Sequence, residues 1–102
     1  MITTDKTLSR EKLEKAAFIL KTVAHPTRLA IIDLLGSQEK MSVNELCRAL
    51  DCEQSLLSHH LINMKLKGLL NCEQDGQNRF YSLKERDVLK LIDCIENCDC
   101  RM

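Results

Sequence analysis

Aromatic residues, glycine and proline are scarce in this chain of 102 residues. It contains one tyrosine, two phenylalanines and no tryptophan, with three glycines and one proline. Hydrophobic residues make up 44% of the chain but aromatic residues only 3%, so the core must be built mainly from aliphatic side chains. The scarcity of helix-breaking residues predicts a mostly helical fold, and the length predicts one small domain over residues 1–102.

The sequence also lacks a long apolar run and a recognisable export signal. No segment is apolar over the length needed to cross a bilayer, and the first ten residues, MITTDKTLSR, have no apolar stretch. We therefore expect a cytoplasmic protein with no membrane partner. In the reducing cytosol the six cysteines are not expected to form a disulfide framework. Clustered cytosolic cysteines are more often metal ligands or redox sensors.

Net charge is absent as well, with 15 basic and 15 acidic side chains. The charges are unevenly distributed, however. Residues 54–86 carry five basic and three acidic side chains, whereas residues 87–102 carry two basic and four acidic ones. A neutral total usually argues against nucleic-acid binding, but the local excess of about two positive charges leaves that function open.

Hydrophobic periodicity and capping signals predict three helices in the first half of the chain. Ser9 is a candidate N-cap for the first helix, and Pro26 suits the first position of the second. Gly36 is expected to end that second helix. Ser42 followed three residues later by Glu45 forms a capping box that opens the third helix.

The second half of the chain predicts a fourth helix, a hairpin and a last helix. Leu57, Leu61 and Met64 recur at helical spacing, and Gly68 suits the position after the fourth helix. The runs LLNCEQ and RFYSL flank an Asp-Gly turn, which is typical of a β-hairpin. Residues 84–97 return to a helical pattern. The predicted fold is mainly α with a small β-hairpin, a helix-turn-helix with a wing.

The stretch SVNELCRALDCEQSLLSHHLINMKLKGLLNCEQDGQNRFYSL resembles the ArsR/SmtB family of winged-helix repressors. The preceding AHPTRLAIIDLL resembles that family's second helix, and the resemblance covers roughly residues 18–83. It implies a homodimer that binds double-stranded operator DNA and releases it on sensing a metal ion, metalloid or oxidant. The first and last helices, over residues 9–23 and 84–98, are then the expected dimerisation helices.

The start of the fourth helix is the candidate DNA-reading surface. If the apolar positions of this helix face the core, its short polar side chains point outward. Hydroxyl and amide groups at a helix N-terminus suit base edges and phosphates. The resemblance assigns DNA contact to four residues, with two basic side chains as further candidates: Gln54, Ser55, Ser58 and His59, then Lys65 and Arg79. His60 is expected to be structural, and Lys67, like Lys65, is a candidate for contact with the DNA backbone.

Two departures from the family pattern predict weak electrostatic binding. Related sequences often carry Lys or Arg where this chain has Ile62, and the wing tip DGQN has no basic residue. Fewer phosphate contacts mean lower affinity and a shallower salt dependence.

The sensor positions that the resemblance implies are mostly altered in this chain. Ser42 and Asn44 replace two cysteines at the start of the third helix, and the second helix contains no cysteine. The family also has a zinc site between the last helices of the two subunits. Its four positions hold two carboxylates and no histidine in this chain: Glu85, Asp87, Cys98 and Arg101. A zinc site of that type is therefore not expected.

The segment CIENCDC near the end of the chain is the candidate sensor. Cys94 and Cys98 are four residues apart and share a helix face, and Cys100 joins them if the helix ends after Cys98. Three thiolates suit a soft, thiophilic ion. The donor set matches arsenite or antimonite as inducer, with no obligatory cofactor.

Other interpretations of the cysteines stay open. Cys94 packing in a dimer interface is one, and a redox couple of Cys98 and Cys100 is another. Cys47 is expected in the core, whereas Cys52 and Cys72 have no evident partner, although a site using Cys47 and Cys52 is conceivable.

Other classes of protein are also considered. A cysteine-rich metal carrier would bind metal but not DNA. A winged helix that binds other proteins would neither bind DNA nor need the thiols. An enzyme is not expected, because the sequence has no glycine-rich phosphate loop and no nucleophile with a base and carboxylate.

Overall fold

Five α-helices and a three-stranded sheet account for residues 9–97, the part of the chain that the computed structural model describes. The helices are α1 (Arg10–Val23), α2 (Pro26–Ser37), α3 (Val43–Leu50), α4 (Gln54–Leu66) and α5 (Leu89–Asn97). The strands are β1 (Met41–Ser42), β2 (Leu70–Asp75) and β3 (Asn78–Leu83). The β2–β3 hairpin is the wing, and the predicted mainly helical fold with a wing is confirmed.

The predicted caps form as expected at the starts of the first three helices. The Ser9 hydroxyl accepts a hydrogen bond from the backbone N–H of Lys12, and His25 Nδ1 accepts one within the first turn of α2. At α3, the Glu45 N–H donates to Ser42 Oγ at 3.1 Å, while the Ser42 N–H donates to Glu45 Oε1 at 2.8 Å. Hydrogen bonding of the Glu45 carboxylate to the backbone N–H of Ser42, and then to the Ser42 hydroxyl, lowers the pKa of that carboxyl.

Gly36 does not end α2, and that prediction is wrong. The helix continues to Ser37, and Gln38 is its C-cap. A Cβ atom at Gly36 would overlap the side chain of Leu89 at the start of α5. The glycine therefore allows close packing of Leu89 against α2, and a larger residue there would force the Leu89 side chain to shift.

The sheet contains one strand more than the sequence predicts. The two-residue strand β1 pairs antiparallel with β3, Met41 opposite Tyr81 and Ser42 opposite Phe80. The strand order is therefore β1-β3-β2, with β3 in the centre. Two residues are too few to show the alternation that identifies a strand in a sequence.

The last helix also begins differently from the prediction. The sequence pattern predicts a helix over residues 84–97, but residues Arg86–Val88 form a 3-10 turn before α5 starts at Leu89. Residue 98, the expected end of the second dimerisation helix, lies outside the described residues. No helix within residues 9–97 is both long and apolar enough to span a membrane.

The core is aliphatic, as the composition predicts, with Tyr81 as a buried aromatic member. Its largest fully buried side chains come from α2, α3 and α4: Ile31, Ile32, Leu35, Leu46, Leu57, Leu61 and Met64. The three that belong to α4 lie at the positions where the sequence predicts an inward face. Their burial fixes the rotation of α4 about its axis and so determines which of its side chains face solvent.

Candidate nucleic-acid interface

The first turns of α4 present polar side chains on the face opposite the core. Gln54, Ser55 and His59 are exposed and Ser58 is half-buried, whereas Leu57 between them is fully buried. All four residues assigned to DNA contact therefore lie where a ligand can reach them. This arrangement follows from the helical period, which places residues three or four positions apart on the same side.

A polar cleft separates the start of α4 from the wing. It has a volume of about 290 Å³ and is lined by Val43, Asn44, Gln54, Ser58, Gln77, Asn78 and Arg79. The fold thus brings Gln54 and Ser58 together with Arg79 of β3, three of the residues that the sequence proposes. Ser55 and His59 are exposed on α4 but do not line this cleft.

Several polar residues near α4 escaped the sequence analysis. Asn44 at the start of α3, with Gln77 and Asn78 at the wing tip, lines the polar cleft. Arg48 lines an adjoining cleft, which shares Asn44 and Gln54 with the polar cleft. No local sequence signal marks these side chains, because they meet α4 only through the tertiary fold.

The N-terminus of α4 is open to an anion but has a carboxylate beside it. Glu53 is the N-cap residue, but its side chain makes no capping hydrogen bond. The Glu53 carboxylate therefore does not accept a hydrogen bond from the first backbone N–H groups of α4. Such N–H groups are suited to binding phosphate. The Ser55 hydroxyl instead donates to Glu53 Oε1 at 3.4 Å. The negative charge of Glu53 opposes a phosphate at this position.

A hydrogen-bond network anchors α4 to the first two helices. Arg28 Nε donates to His60 Nδ1 at 2.9 Å, and Arg28 Nη1 donates to Asn63 Oδ1 at 2.8 Å. The same Nη1 also donates to the backbone oxygen of Thr22, near the end of α1, at 2.9 Å. Arg28 therefore fixes α4 relative to α1 and α2 and thereby positions the outward face of α4.

His60 is structural, as predicted, and its environment differs sharply from that of His59. His60 is 6% exposed, and burial, together with the nearby positive charge of Arg28, lowers its pKa. The ring of His25 lies 4.6 Å from it. A neutral imidazole leaves Nδ1 free to accept from Arg28, which the observed hydrogen bond requires. His59 next to it is exposed.

The two lysines of this region do not line the polar cleft. Lys65 is exposed in the last turn of α4, seven residues beyond Ser58. The ammonium of Lys67 lies 5.2 Å from the ring centroid of Phe18 on α1. Lys67 therefore packs towards α1, while Lys65 remains a candidate for contact with the DNA backbone outside the cleft.

The described cysteines do not form a metal centre. Cys94 is exposed on α5, whereas Cys47, Cys52 and Cys72 are half-buried against the core, Cys72 opposite the buried Tyr81 in the sheet. Within residues 9–97, no group of three or more His, Cys, Asp or Glu side chains is placed to hold a metal ion. The remaining residues of the predicted sensor, Cys98 and Cys100, lie outside the described part of the chain.

A second surface, between α1 and the segment leading into α5, has the opposite character. This groove has a volume of about 470 Å³ and is lined largely by apolar side chains, among them Phe18, Leu20 and Leu91. Phe18 is 45% exposed and Leu20 is 51% exposed. An ion pair of 3.9 Å between Lys15 and Glu85 spans the same two segments. We refer to this surface as the apolar groove.

Comparison with known proteins places the helix-turn-helix in a recognised family. A family model described as a helix-turn-helix domain matches residues 23–73, half of the chain. The HTH-type transcriptional regulator YgaV of Escherichia coli is 36% identical over 87 residues, covering 85% of this chain and 88% of YgaV. The HTH-type transcriptional repressor SmtB of Mycobacterium tuberculosis is 32% identical over 83 residues, covering 81% of this chain and 61% of SmtB.

A solved structure agrees with this assignment. The structure of HlyU from Vibrio cholerae superposes with a TM-score of 0.79 at 32% identity, covering 91% of this chain and all of that one. HlyU carries the name of a transcriptional activator, and SmtB that of a repressor. These relatives are regulators of transcription, which confirms the prediction that the chain is not an enzyme.

Proposed function

Because the chain belongs to the ArsR/SmtB family of winged-helix transcriptional regulators, we propose that it represses transcription by binding operator DNA through α4 and the wing. One observation carries this proposal. The polar side chains at the start of α4 share a cleft with Arg79 and the wing tip, and this shape matches a helix in the major groove beside a strand pair on the backbone.

Each residue proposed to contact DNA on α4 and the wing has a role suited to its chemistry. The Gln54 amide has the donor and acceptor needed to read adenine with two hydrogen bonds, and the Ser58 hydroxyl suits several base edges. The exposed His59 imidazole suits a phosphate or a base acceptor. Arg79 on the wing suits a phosphate or the minor groove. Ile62 lies one helical turn after Ser58 on α4 and is 44% exposed. Its apolar side chain suits contact with a thymine methyl group.

Charge contributes less to this interface than hydrogen bonding. Arg79 is the basic residue among those that line the polar cleft, and Arg48 adds a second positive charge beside Gln54. Glu53 at the N-terminus of α4 opposes phosphate binding. Since each neutralised phosphate steepens the dependence of affinity on salt, we expect a shallow salt dependence.

The apolar groove supports assembly of a homodimer through α1 and α5. Leu13, Phe18 and Leu20 of α1 are all exposed in the single chain. Large exposed apolar side chains clustered on one element favour a protein interface. A two-fold dimer would present two copies of α4 to successive major grooves, as helix-turn-helix dimers do.

We further propose arsenite or antimonite as the inducer, held by Cys94, Cys98 and Cys100. Cys94 is exposed on α5 and thus accessible to such an ion, and Cys98 follows it by four residues. Three thiolates match the preference of trivalent arsenic for sulfur. Because α5 belongs to the proposed dimer interface, an ion bound there would alter the spacing of the two α4 helices and release DNA. Oxidation of Cys98 and Cys100 is the alternative signal.

The DNA-binding proposal is tested by fluorescence anisotropy of the reduced protein with a labelled duplex from upstream of its own gene. We expect saturable binding that an unlabelled operator displaces and an unrelated duplex does not. Arg79→Gln should weaken binding, whereas Arg10→Gln, a matched change at an exposed arginine of α1, should not. Equal affinity for both duplexes, or equal effects of both variants, would contradict the proposal.

The inducer proposal uses the same complex, titrated with arsenite and separately with zinc. Release by arsenite but not zinc is expected. Cys94→Ser combined with Cys98→Ser should keep DNA binding and abolish release. Cys72→Ser is the matched control and should keep both. Release that persists in the double variant would place the sensor elsewhere.

A further inference from the structure

Two cysteines flank the turn between α3 and α4, Cys47 in the last turn of α3 and Cys52 after it. Asp51, the C-cap of α3, adopts a left-handed conformation with φ of 49°, which turns the chain back on itself. As a result the backbone N–H of Cys52 donates to the backbone oxygen of Cys47 at 3.2 Å. Standard bond lengths then limit the two Cα atoms to a separation of at most about 7 Å. Disulfides require Cα atoms roughly 4.4 to 6.8 Å apart.

Both thiols are accessible to a small molecule. Cys47 and Cys52 are half-buried free cysteines that line one open cleft with a volume of about 400 Å³. Partial burial leaves each side chain in contact with the core and also reachable from solvent. The pair therefore combines a Cα separation of at most about 7 Å with access for a small oxidant.

The same cleft belongs to the proposed DNA surface. Its other lining residues are Asn44, Arg48 and Gln54. Asn44 and Gln54 also line the polar cleft towards the wing. Any change in the bonding of Cys52 acts two residues before Gln54, at the start of the DNA-reading helix.

We propose that Cys47 and Cys52 form a reversible thiol switch, in which a hydroperoxide converts them to a disulfide that weakens operator binding. The peroxide oxidises one thiolate to a sulfenic acid and leaves as an alcohol or water. The second thiol attacks that sulfur, the S–S bond forms, and water departs. The two sulfurs lose two electrons, which the O–O bond accepts. A dithiol reductant reverses the reaction.

The disulfide should disturb the start of α4. It would hold the two Cβ atoms about 3.8 Å apart and place the S–S bond within the cleft that Gln54 and Arg48 line. Such a change would weaken the contact that Gln54 makes with a base edge. We therefore expect operator affinity to fall by roughly tenfold on oxidation. This consequence rests on the proposed function, whereas formation of the disulfide does not.

The test uses the full chain with Cys72→Ser, Cys94→Ser, Cys98→Ser and Cys100→Ser, which retains only Cys47 and Cys52, alongside the unmodified protein. Each is treated with hydrogen peroxide, digested with trypsin and analysed by mass spectrometry. Trypsin cleaves after Arg48, between the two cysteines, so a disulfide joins the peptides 41–48 and 49–65. We expect this linked pair to appear with peroxide and to separate on reduction.

Anisotropy on the same samples provides the second readout. Operator affinity should fall by roughly tenfold with the disulfide and recover with dithiothreitol. Cys52→Ser in the four-fold variant should form no linked peptides and show no response. Absence of the linked peptides would overturn the proposal, as would a disulfide that leaves affinity unchanged. Reduced protein that ignores DNA would contradict the proposed function, while the peptide analysis would still decide whether the disulfide forms.

Discussion

The polar cleft beside α4 and the apolar groove beside α1 are both exposed, but they are built from opposite chemistry. The cleft is lined by amides, a hydroxyl and the guanidinium of Arg79. The groove is lined mainly by aliphatic and aromatic side chains such as Phe18 and Leu20. Amides, hydroxyls and guanidinium groups suit nucleic acid, whereas large exposed apolar side chains favour another protein surface.

The same contrast recurs within α4 at two adjacent histidines. His60 is buried and accepts a hydrogen bond from Arg28, and its pKa is lowered, whereas His59 is exposed. His60 thus attaches the helix to the body of the protein, whereas the preceding residue, His59, is available to a ligand. Anchoring and recognition are therefore separable in this helix, and substitutions can test each independently.

The largest effect is expected from a double substitution that removes two DNA-contacting side chains of α4 and leaves the anchor to the core intact. Ser58→Ala combined with His59→Ala should lower operator affinity by about 100-fold, since each lost contact is worth roughly 1 to 2 kcal/mol. The urea midpoint of unfolding should barely change, because His59 is exposed and Ser58 is only half-buried. Anisotropy and urea unfolding measure the two quantities. A matched Ser37→Ala variant at the end of α2 should leave DNA affinity unchanged.

A charged side chain placed in the apolar groove should weaken the homodimer rather than reduce the stability of the fold. Leu20→Asp should weaken dimerisation by roughly 30-fold, because a carboxylate would be buried against apolar side chains. Sedimentation equilibrium measures the dissociation constant. Leu66→Asp, at a leucine on α4 that is 77% exposed, is the control and should leave the dimer intact. If both variants dimerise equally well, the interface lies on another surface.

Removal of the anchor should destabilise the fold. Arg28→Ala deletes three hydrogen bonds and leaves His60 and Asn63 without their donor. The free energy of unfolding should fall by about 2 kcal/mol, measured by urea denaturation. Arg10→Ala removes an exposed ion pair with Glu14 and should cost under about 0.5 kcal/mol. Equal losses would show that Arg28 does not anchor α4.

Acidification should lower the free energy of unfolding through His60, by less than Arg28→Ala does. The pKa of His60 is lowered in the folded protein, so the unfolded chain takes up a proton first as the pH falls. The associated stability is present above about pH 6.5, the usual histidine pKa, and declines below it towards the folded pKa. Urea unfolding from pH 8 to pH 5 measures this slope. His60→Gln should flatten it.

The smallest expected effect concerns the carboxylate at the start of α4. Glu53→Gln removes a negative charge beside the helix N-terminus and should tighten operator binding by about threefold at low salt. The gain should shrink as salt is added. The matched Glu39→Gln change lies in the segment between α2 and β1 and should have no effect. Weaker binding of Glu53→Gln would assign the carboxylate a direct role in reading a base.

Features set by near neighbours could be predicted from the sequence. The capping box of Ser42 and Glu45 and the inward face of α4 depend on residues within one or two helical turns. Both follow from spacing alone. The outward position of Ser55, Ser58 and His59 then needs no tertiary information, and this part of the candidate site was predictable.

Features set by distant partners could not be predicted. Arg28 contacts His60 and Asn63 across 32 and 35 residues, and β1 finds its partner in β3. The role of Gly36 depends on Leu89, far along the chain. No period or spacing records such contacts. The polar cleft was therefore only half predictable, with Gln54, Ser58 and Arg79 expected and the wing-tip amides missed.

The most direct test of the account is amide chemical-shift mapping of the reduced protein during titration with operator duplex. We expect the largest changes at residues 54–59 and 77–79, with the apolar groove of α1 and α5 little affected. That result would assign DNA to the polar cleft. Large changes confined to α1 and α5, with residues 54–59 unmoved, would contradict the claim that α4 and the wing read DNA.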